Sequence, residues 1–212
     1  MNAQKMKEWN QRMVVEATKK LLLAYGIQGT SVGMIAKKCD LNIRTVTRNF
    51  GSKENLVTIA MREYVGMLLK EMKQVLETKE LQDKTGFETI MIFLDWFEDV
   101  LIQHYKFILL LNETEVYLSE SKNEEARILL KKHLLYLSEL SSIVHKELIK
   151  GVEDGSIRAD ANLEQAEELL TGVFKGLIQR LAVICNSQFN EDNLQVMNEM
   201  RIFKEIVQHF LE

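Results

Sequence analysis

The sequence predicts an all-α fold, and three observations carry that prediction. Its 212 residues contain no proline and only ten glycines, so the two strongest helix breakers are scarce. Leu, Glu and Lys, all good helix formers, recur throughout. Apolar residues return at intervals of three and four, the spacing of helices that bury one face. The 46% apolar and 27% charged content suits a packed globular chain and is too apolar for a disordered one. The longest uncharged run, 16 residues between Lys20 and Lys37, is interrupted by Gly26, Gly29 and Gly33. A membrane span needs ~20 mostly apolar residues, so none is expected. Charges run through residues 1–20, leaving no signal-peptide core; the expectation is a soluble cytoplasmic protein. Cys39 and Cys185 lie too far apart in sequence for a disulfide scaffold or a Cys-rich zinc module. Both read as small core residues.

Taken in order, the apolar period gives about nine helices joined by short turns. Helix 1 runs from Gln4 to Ala24, with Met13, Ala17, Leu21 and Ala24 on one face, and stops at Gly26 as its C-cap. Thr30 offers an N-cap for a short helix 2 through Val32, Ile35 and Ala36. Asp40 and Leu41 make a turn, and Asn42 caps helix 3, which ends at Phe50 and Gly51. Ser52 caps a long helix 4 to Glu77, with Glu54 in its first turn and Asn55 where a full capping box wants Glu or Gln. Further helices are expected over 85–103, 105–119, 123–153, 162–186 and 192–211. Gly151 and Gly155 should close the seventh, and Asn162 with Gln165 should box the eighth.

Charge divides the chain unevenly. Residues 1–53 hold ten Lys/Arg against three acids, a net +7, while the remaining 159 residues hold 17 against 28, a net −11. A basic head on an acidic body points to a polyanion at the head, against the plainer reading of solvated basic helix faces. Within the head, residues 12–50 have the makings of a helix-turn-helix, whose second helix protrudes into the ~12 Å major groove. Ala36 is small where helices touch, Leu41 plugs the turn, and Val46 and Phe50 face inward. The spacing turns Ile43, Arg44, Thr47 and Arg48 outward on helix 3. Arg44 has the fork that binds guanine O6 and N7. Thr45 and Thr47 suit a phosphate or a thymine methyl. The Lys53 ammonium, beside free N–H groups at a helix start, suits a phosphate.

Residues 16–56, EATKKLLLAYGIQGTSVGMIAKKCDLNIRTVTRNFGSKENL, resemble the N-terminal domain of the tetracycline-repressor (TetR) family. Ala17, Leu21, Gly26, Thr30, Ile35, Ala36, Leu41, Thr45, Val46, Phe50, Ser52, Lys53, Glu54 and Leu56 stand in register with its pattern. Residues 151–176 also resemble, more weakly, the Gly-x-Ile-Arg-x-Asp approach to that family's dimer helices. The resemblance implies a sequence-specific transcriptional regulator, a repressor that a small-molecule effector releases from a double-stranded, pseudo-palindromic operator. It implies DNA-binding roles for Thr30, Asn42, Ile43, Arg44, Thr45, Thr47, Arg48 and Lys53. The expected domains are 1–51, helix-turn-helix, and 52–212, ligand binding and dimerisation, with helix 4 running between them. Three positions depart from the family pattern. Thr47 stands for a usual tyrosine that contacts phosphate, Arg44 for Gly, Lys or Pro, and Arg48 for His or Trp. Two arginines predict either more guanine contact or stronger phosphate clamping.

The body carries the remaining signals. From Leu169 to Cys185 helix 8 is apolar nearly all round, and a helix with two apolar faces has two partners. Gly172 and Gly176 open one stripe for close approach. Helix 9 adds Leu194, Met197, Phe203, Ile206, Val207 and Phe210. The resemblance implies that helices 162–186 and 192–211 pair with their copies in a homodimer, which places two reading helices ~34–36 Å apart. Met67, Phe93, Trp96, Phe97, Tyr105, Tyr136 and Phe174 are candidates for an apolar effector pocket, or for plain core. Glu113 or Glu115 would at most recognise a cationic ligand. No cofactor and no metal are expected, since His104, His133 and His145 lack ligand spacing. Nucleophile-elbow, Walker, Rossmann and His-Glu-x-x-His motifs are absent. An all-α enzyme or a helical adaptor whose basic N-terminus is only solvated surface stands as the rival reading.

Overall fold

A computed structural model describes residues 3–76, 78, 83–120, 124–187 and 193–212, with side chains described at 8–75, 78, 83–120, 124, 128, 131, 141–187 and 193–212. Among the described residues the chain is helical, without strands. In chain order the helices are α1 (Ala3–Tyr25), α2 (Val32–Lys38), α3 (Ile43–Phe50), α4 (Lys53–Leu76), α5 (Gly86–Glu120) and α6 (Glu124–Asp154). Then α7 (Leu163–Glu168) runs through a π-helical turn (Leu169–Val173) into α8 (Phe174–Asn186), and α9 (Leu194–Leu211) ends the chain. None of the helices is long and apolar enough to cross a membrane, among the described residues.

Packing sorts the chain into two compact units, each built from two stretches of sequence. The first comprises Met1–Met67 and Leu110–Tyr136. Its core gathers Val14, Ala17 and Leu21 of α1, Ile35 and Ala36 of α2, Cys39 at the end of α2, Val46 and Phe50 of α3, and Leu56 of α4. The second comprises Leu68–Leu109 and Leu137–Glu212. It buries Leu94 and Leu101 of α5, Leu148 of α6, Leu181 of α8, and Met200 and Val207 of α9. There Lys204 stands 2.5 Å from both Asp95 and Glu98.

Several local expectations need correction. Thr30 does not cap α2: Ser31 does, its Oγ accepting from the Met34 N–H, while the Thr30 hydroxyl donates to the Gly26 carbonyl at 2.8 Å. Ala24 is exposed, because the buried stripe of α1 centres on Val14, Thr18, Leu21 and Leu22. The helices expected over 85–103 and 105–119 are one 35-residue helix, broken in backbone angle where the sequence suggested, at His104 (φ −128°, ψ 25°). Gly151 does not end α6 but lies inside it. A Cβ there would come 2.4 Å from the Ile157 side chain, and one on Gly86 would come 2.2 Å from the Gly151 nitrogen, so close backbone approach requires glycine at 86. Gly155, at φ +76°, makes the left-handed exit. The span 162–186 holds a π turn that periodicity alone did not reveal. Asn162 caps α7 as expected, accepting from the Gln165 N–H. Glu77 and residue 192, the expected ends of two helices, lie outside the described residues.

Candidate nucleic-acid interface

Capping and turn chemistry set α3. The Asn42 side chain accepts from the Arg44 N–H at 2.9 Å, satisfying a donor that the first turn leaves free. Asp40 takes a left-handed conformation (φ 53°), a role its short polar side chain tolerates. The turn closes with the Leu41 N–H donating to the Ala36 carbonyl at 2.9 Å. Val46 is wholly buried and Phe50 nearly so, gripping the core, and Leu41 packs against it from the turn. Gly51 (φ +74°) ends α3.

With those anchors inward, the outward face is fixed by the helical period. Ile43, Arg44, Thr47 and Arg48 are all exposed, and Asn42 joins them at the N-terminus. Thr45 is half-buried at the edge of this face. The Thr47 hydroxyl donates back to the Ile43 carbonyl at 3.1 Å, so its oxygen lone pairs and methyl are what it presents. Thr30 is not brought to this surface: it is buried, and its hydroxyl is committed to the Gly26 carbonyl.

Lys53 opens α4. Its ammonium sits 5.7 Å from the centre of the Tyr117 ring, a cation–π contact that aims the side chain. The helix start is less free than the sequence suggested. Ser52 Oγ accepts from the Asn55 N–H at 3.2 Å. Glu54 bonds its own backbone N–H, and this, outweighing the opposing effect of burial and aided by Ser52, Tyr117 and Lys53, holds its carboxyl below the ordinary carboxylate value. The Lys53 ammonium, more than the helix N–H groups, is therefore the cationic element there.

Sequence reasoning missed Glu113. It is no ligand hook: its Oε1 accepts from the Ile27 N–H at 2.8 Å and the Gln28 N–H at 3.4 Å. A contact across 86 residues leaves no local pattern to read.

Of the effector-pocket candidates, Phe93, Trp96, Phe97 and Phe174 come together. Their rings form a chain, with Phe93 4.8 Å from Phe97, Trp96 5.0 Å from Phe97, and Phe97 5.3 Å from Phe174. Phe203, not foreseen as a candidate, extends it at 5.1 Å from Phe174. Met67 is exposed and Tyr105 half-buried, and the Tyr136 side chain lies outside the described residues. Beside Phe93, a crevice lined by Thr89, Ile90, Ile143, Val144 and Glu147 has about 10 Å³ of room, enough for one water.

On α8 with the π turn that leads into it, and on α9, two apolar faces are visible. Phe174, Ile178, Leu181, Met200, Phe203 and Val207 are buried within their own unit. Val173, Val183, Leu194, Met197, Ile202 and Ile206 are exposed, and so are Gly172 and Gly176.

A capped, short, cationic helix held upright on a three-helix core defines a helix-turn-helix protein of the all-α class. Residues 14–58 match the profile of the bacterial regulatory proteins of the tetR family. No curated protein matches it in sequence. Solved structures share the fold along nearly its whole length. Bacillus subtilis FadR, a transcriptional regulator solved with stearoyl-CoA, superposes with a TM-score of 0.70 at 16% identity, covering 95% of this chain and 100% of its own. The TetR-family regulator PfmR of Thermus thermophilus gives 0.63 at 18% identity, covering 94% and 98%. A TetR-family regulator of Agrobacterium tumefaciens gives 0.66 at 13%, covering 97% and 100%. The fold is that of TetR-family transcriptional regulators.

Proposed function

We propose that the chain is a homodimeric, sequence-specific DNA-binding regulator, a repressor that leaves a pseudo-palindromic operator when a small molecule binds its body. The observation that carries this reading is the outward face of α3. Ile43, Arg44, Thr47 and Arg48 are exposed together while Val46 and Phe50 lock the opposite side. An exposed cationic rod on a rigid base has the shape and charge for a major groove. The basic head, net +7 over residues 1–53, adds salt-sensitive attraction to phosphate. On this reading residues 1–51 bind DNA and residues 52–212 bind effector and a second copy.

The exposed apolar face of α8 and α9 supports the homodimer, since one reading helix makes too few contacts for operator-grade affinity. The aromatic chain from Phe93 to Phe203 supports an apolar effector, which has to part rings now in contact. The stearoyl-CoA bound by the FadR neighbour is in keeping with that chemistry. To act as a switch, the effector must prefer the state that releases DNA; tenfold release takes ~1.4 kcal/mol of differential affinity. Selecting duplexes from a random pool with the purified protein, then screening apolar ligands for release, tests the reading. Recovery of a two-fold symmetric site with salt-dependent affinity is expected. No selective grip on any duplex overturns it.

A further inference from the structure

Glu113 and Tyr117 stand one turn apart on α5, beyond the His104 kink and within the same compact unit as the first 67 residues. They reach both ends of the helix-turn-helix. Glu113 accepts from the N–H groups of Ile27 and Gln28, at the turn that leads from α1 into α2. Gly26 (φ +67°) lies against this contact, and a Cβ there would stand 3.1 Å from Glu113 Oε2. The same turn is tied forward by the Thr30 hydroxyl on the Gly26 carbonyl. Tyr117 donates to Glu54 Oε1 at 3.2 Å, and its ring holds the Lys53 ammonium, just past α3. Thr114 and Leu118, beside them on α5, are fully buried, so this stretch of helix is firmly seated.

We propose that Glu113 and Tyr117 are positioning residues for the DNA grip, through which the pose of the reading helix depends on the state of α5. The proposal rests on the DNA-binding reading above. Neither residue belongs to the outward face of α3, so each acts through others: Glu113 through the α1–α2 turn, Tyr117 through Lys53. Bonds between a carboxylate and N–H groups are directional and short-ranged. A shift of this stretch of α5 by about 1 Å takes them out of range. The head is then held in one pose or let go, a response suited to a switch.

The test uses the full-length protein and a duplex selected by the wild type from a random pool. Hydrogen exchange at the Ile27 and Gln28 amides is measured beside affinity for selected and random duplexes over a salt series. Glu113→Ala should speed exchange at both amides about tenfold relative to the Ala60 amide inside α4 and weaken selected-site binding about tenfold. Glu113→Gln, which keeps an acceptor oxygen and serves if the alanine variant fails to fold, should fall between. Tyr117→Leu should lower the salt slope as Lys53→Ala does, while Tyr117→Phe, which keeps the ring, should not. Faster exchange with selected-site affinity within about twofold of wild type confines Glu113 to holding the turn and overturns the proposal, as does unchanged exchange. A wild type that selects no duplex overturns the DNA-binding reading instead, and the exchange data still separate the two failures.

Discussion

Arg44 and Arg48 share the exposed face of α3 but not the same reach. Arg44 lies in the first turn, next to the Asn42 cap, and Arg48 lies in the last. N-terminal residues of a recognition helix are the ones that meet base edges, while later ones run towards the backbone. Arg44→Ala is therefore expected to cost ~1–3 kcal/mol on the selected site and to relax one base position. Equal losses on selected and random duplexes would assign it to phosphate instead. Lys53→Ala should weaken all sequences alike and lower the slope of log K against log salt by about 0.9. The cap is separable from the contacts: Asn42→Ala should lower stability by about 1 kcal/mol in chemical denaturation. Glu54 gives a pH signature. Its carboxyl is held below its usual value of 4.5, so its contribution is present above that value and lost as pH falls through the folded one. Glu54→Gln should thus destabilise at neutral pH, with the deficit shrinking below pH 4.5.

Among the helices, what was readable follows from how local each cause is. The caps Asn42 and Asn162, the glycine exits at 26, 51 and 155, and the break at His104 depend on neighbouring residues, and the sequence showed them. The first turn of α5 was there to be read as well: Thr85 and Glu88 bond each other's backbone N–H groups in a full capping box. Distant causes left no trace. Gly151 looked like a stop because nothing nearby shows that Gly86 and Ile157 press on it. Glu113 looked like a surface acid because its partners are in the head. Four rings of the chain were among the pocket candidates, together with Met67 and Tyr105, which do not join it, while Phe203 reads as an ordinary apolar position of α9 until Phe174 stacks on it. Lys204 gives α9 its own prediction. Burial pulls its ammonium down, but Asp95 and Glu98 prevail and hold it above its usual value. Lys204→Met leaves Glu98, with a side chain only 16% exposed, without that partner; a loss of about 1–2 kcal/mol in urea unfolding is expected.

For the protein as a whole, the proposed homodimer would form on the apolar residues left outside. A monomer would keep Val173, Val183, Met197 and Ile206 in water, apolar surface that pairing would cover. Val173→Glu with Ile206→Glu is expected to give a monomer by sedimentation and to weaken operator binding by more than about tenfold, without loss of helical signal. An unchanged dimer would place the interface elsewhere. Charge is spread unevenly along the chain, with the basic residues concentrated before residue 54. The packing units cut the chain differently, at Met67 and within α5 and α6. No composition boundary marks those points, because they lie inside continuous helices.

The burial of Cys39 has a practical consequence. The residue is 5% exposed, its thiol is pushed up by burial, and its sulfur lies 3.6 Å from the Met13 carbonyl. Alkylating reagents can reach it only when α1 and α2 part, so its labelling rate is a stopwatch for breathing of the head. In a Cys185→Ser background that clock can be read with and without duplex, and slower labelling with duplex is the outcome expected of a DNA-binding head.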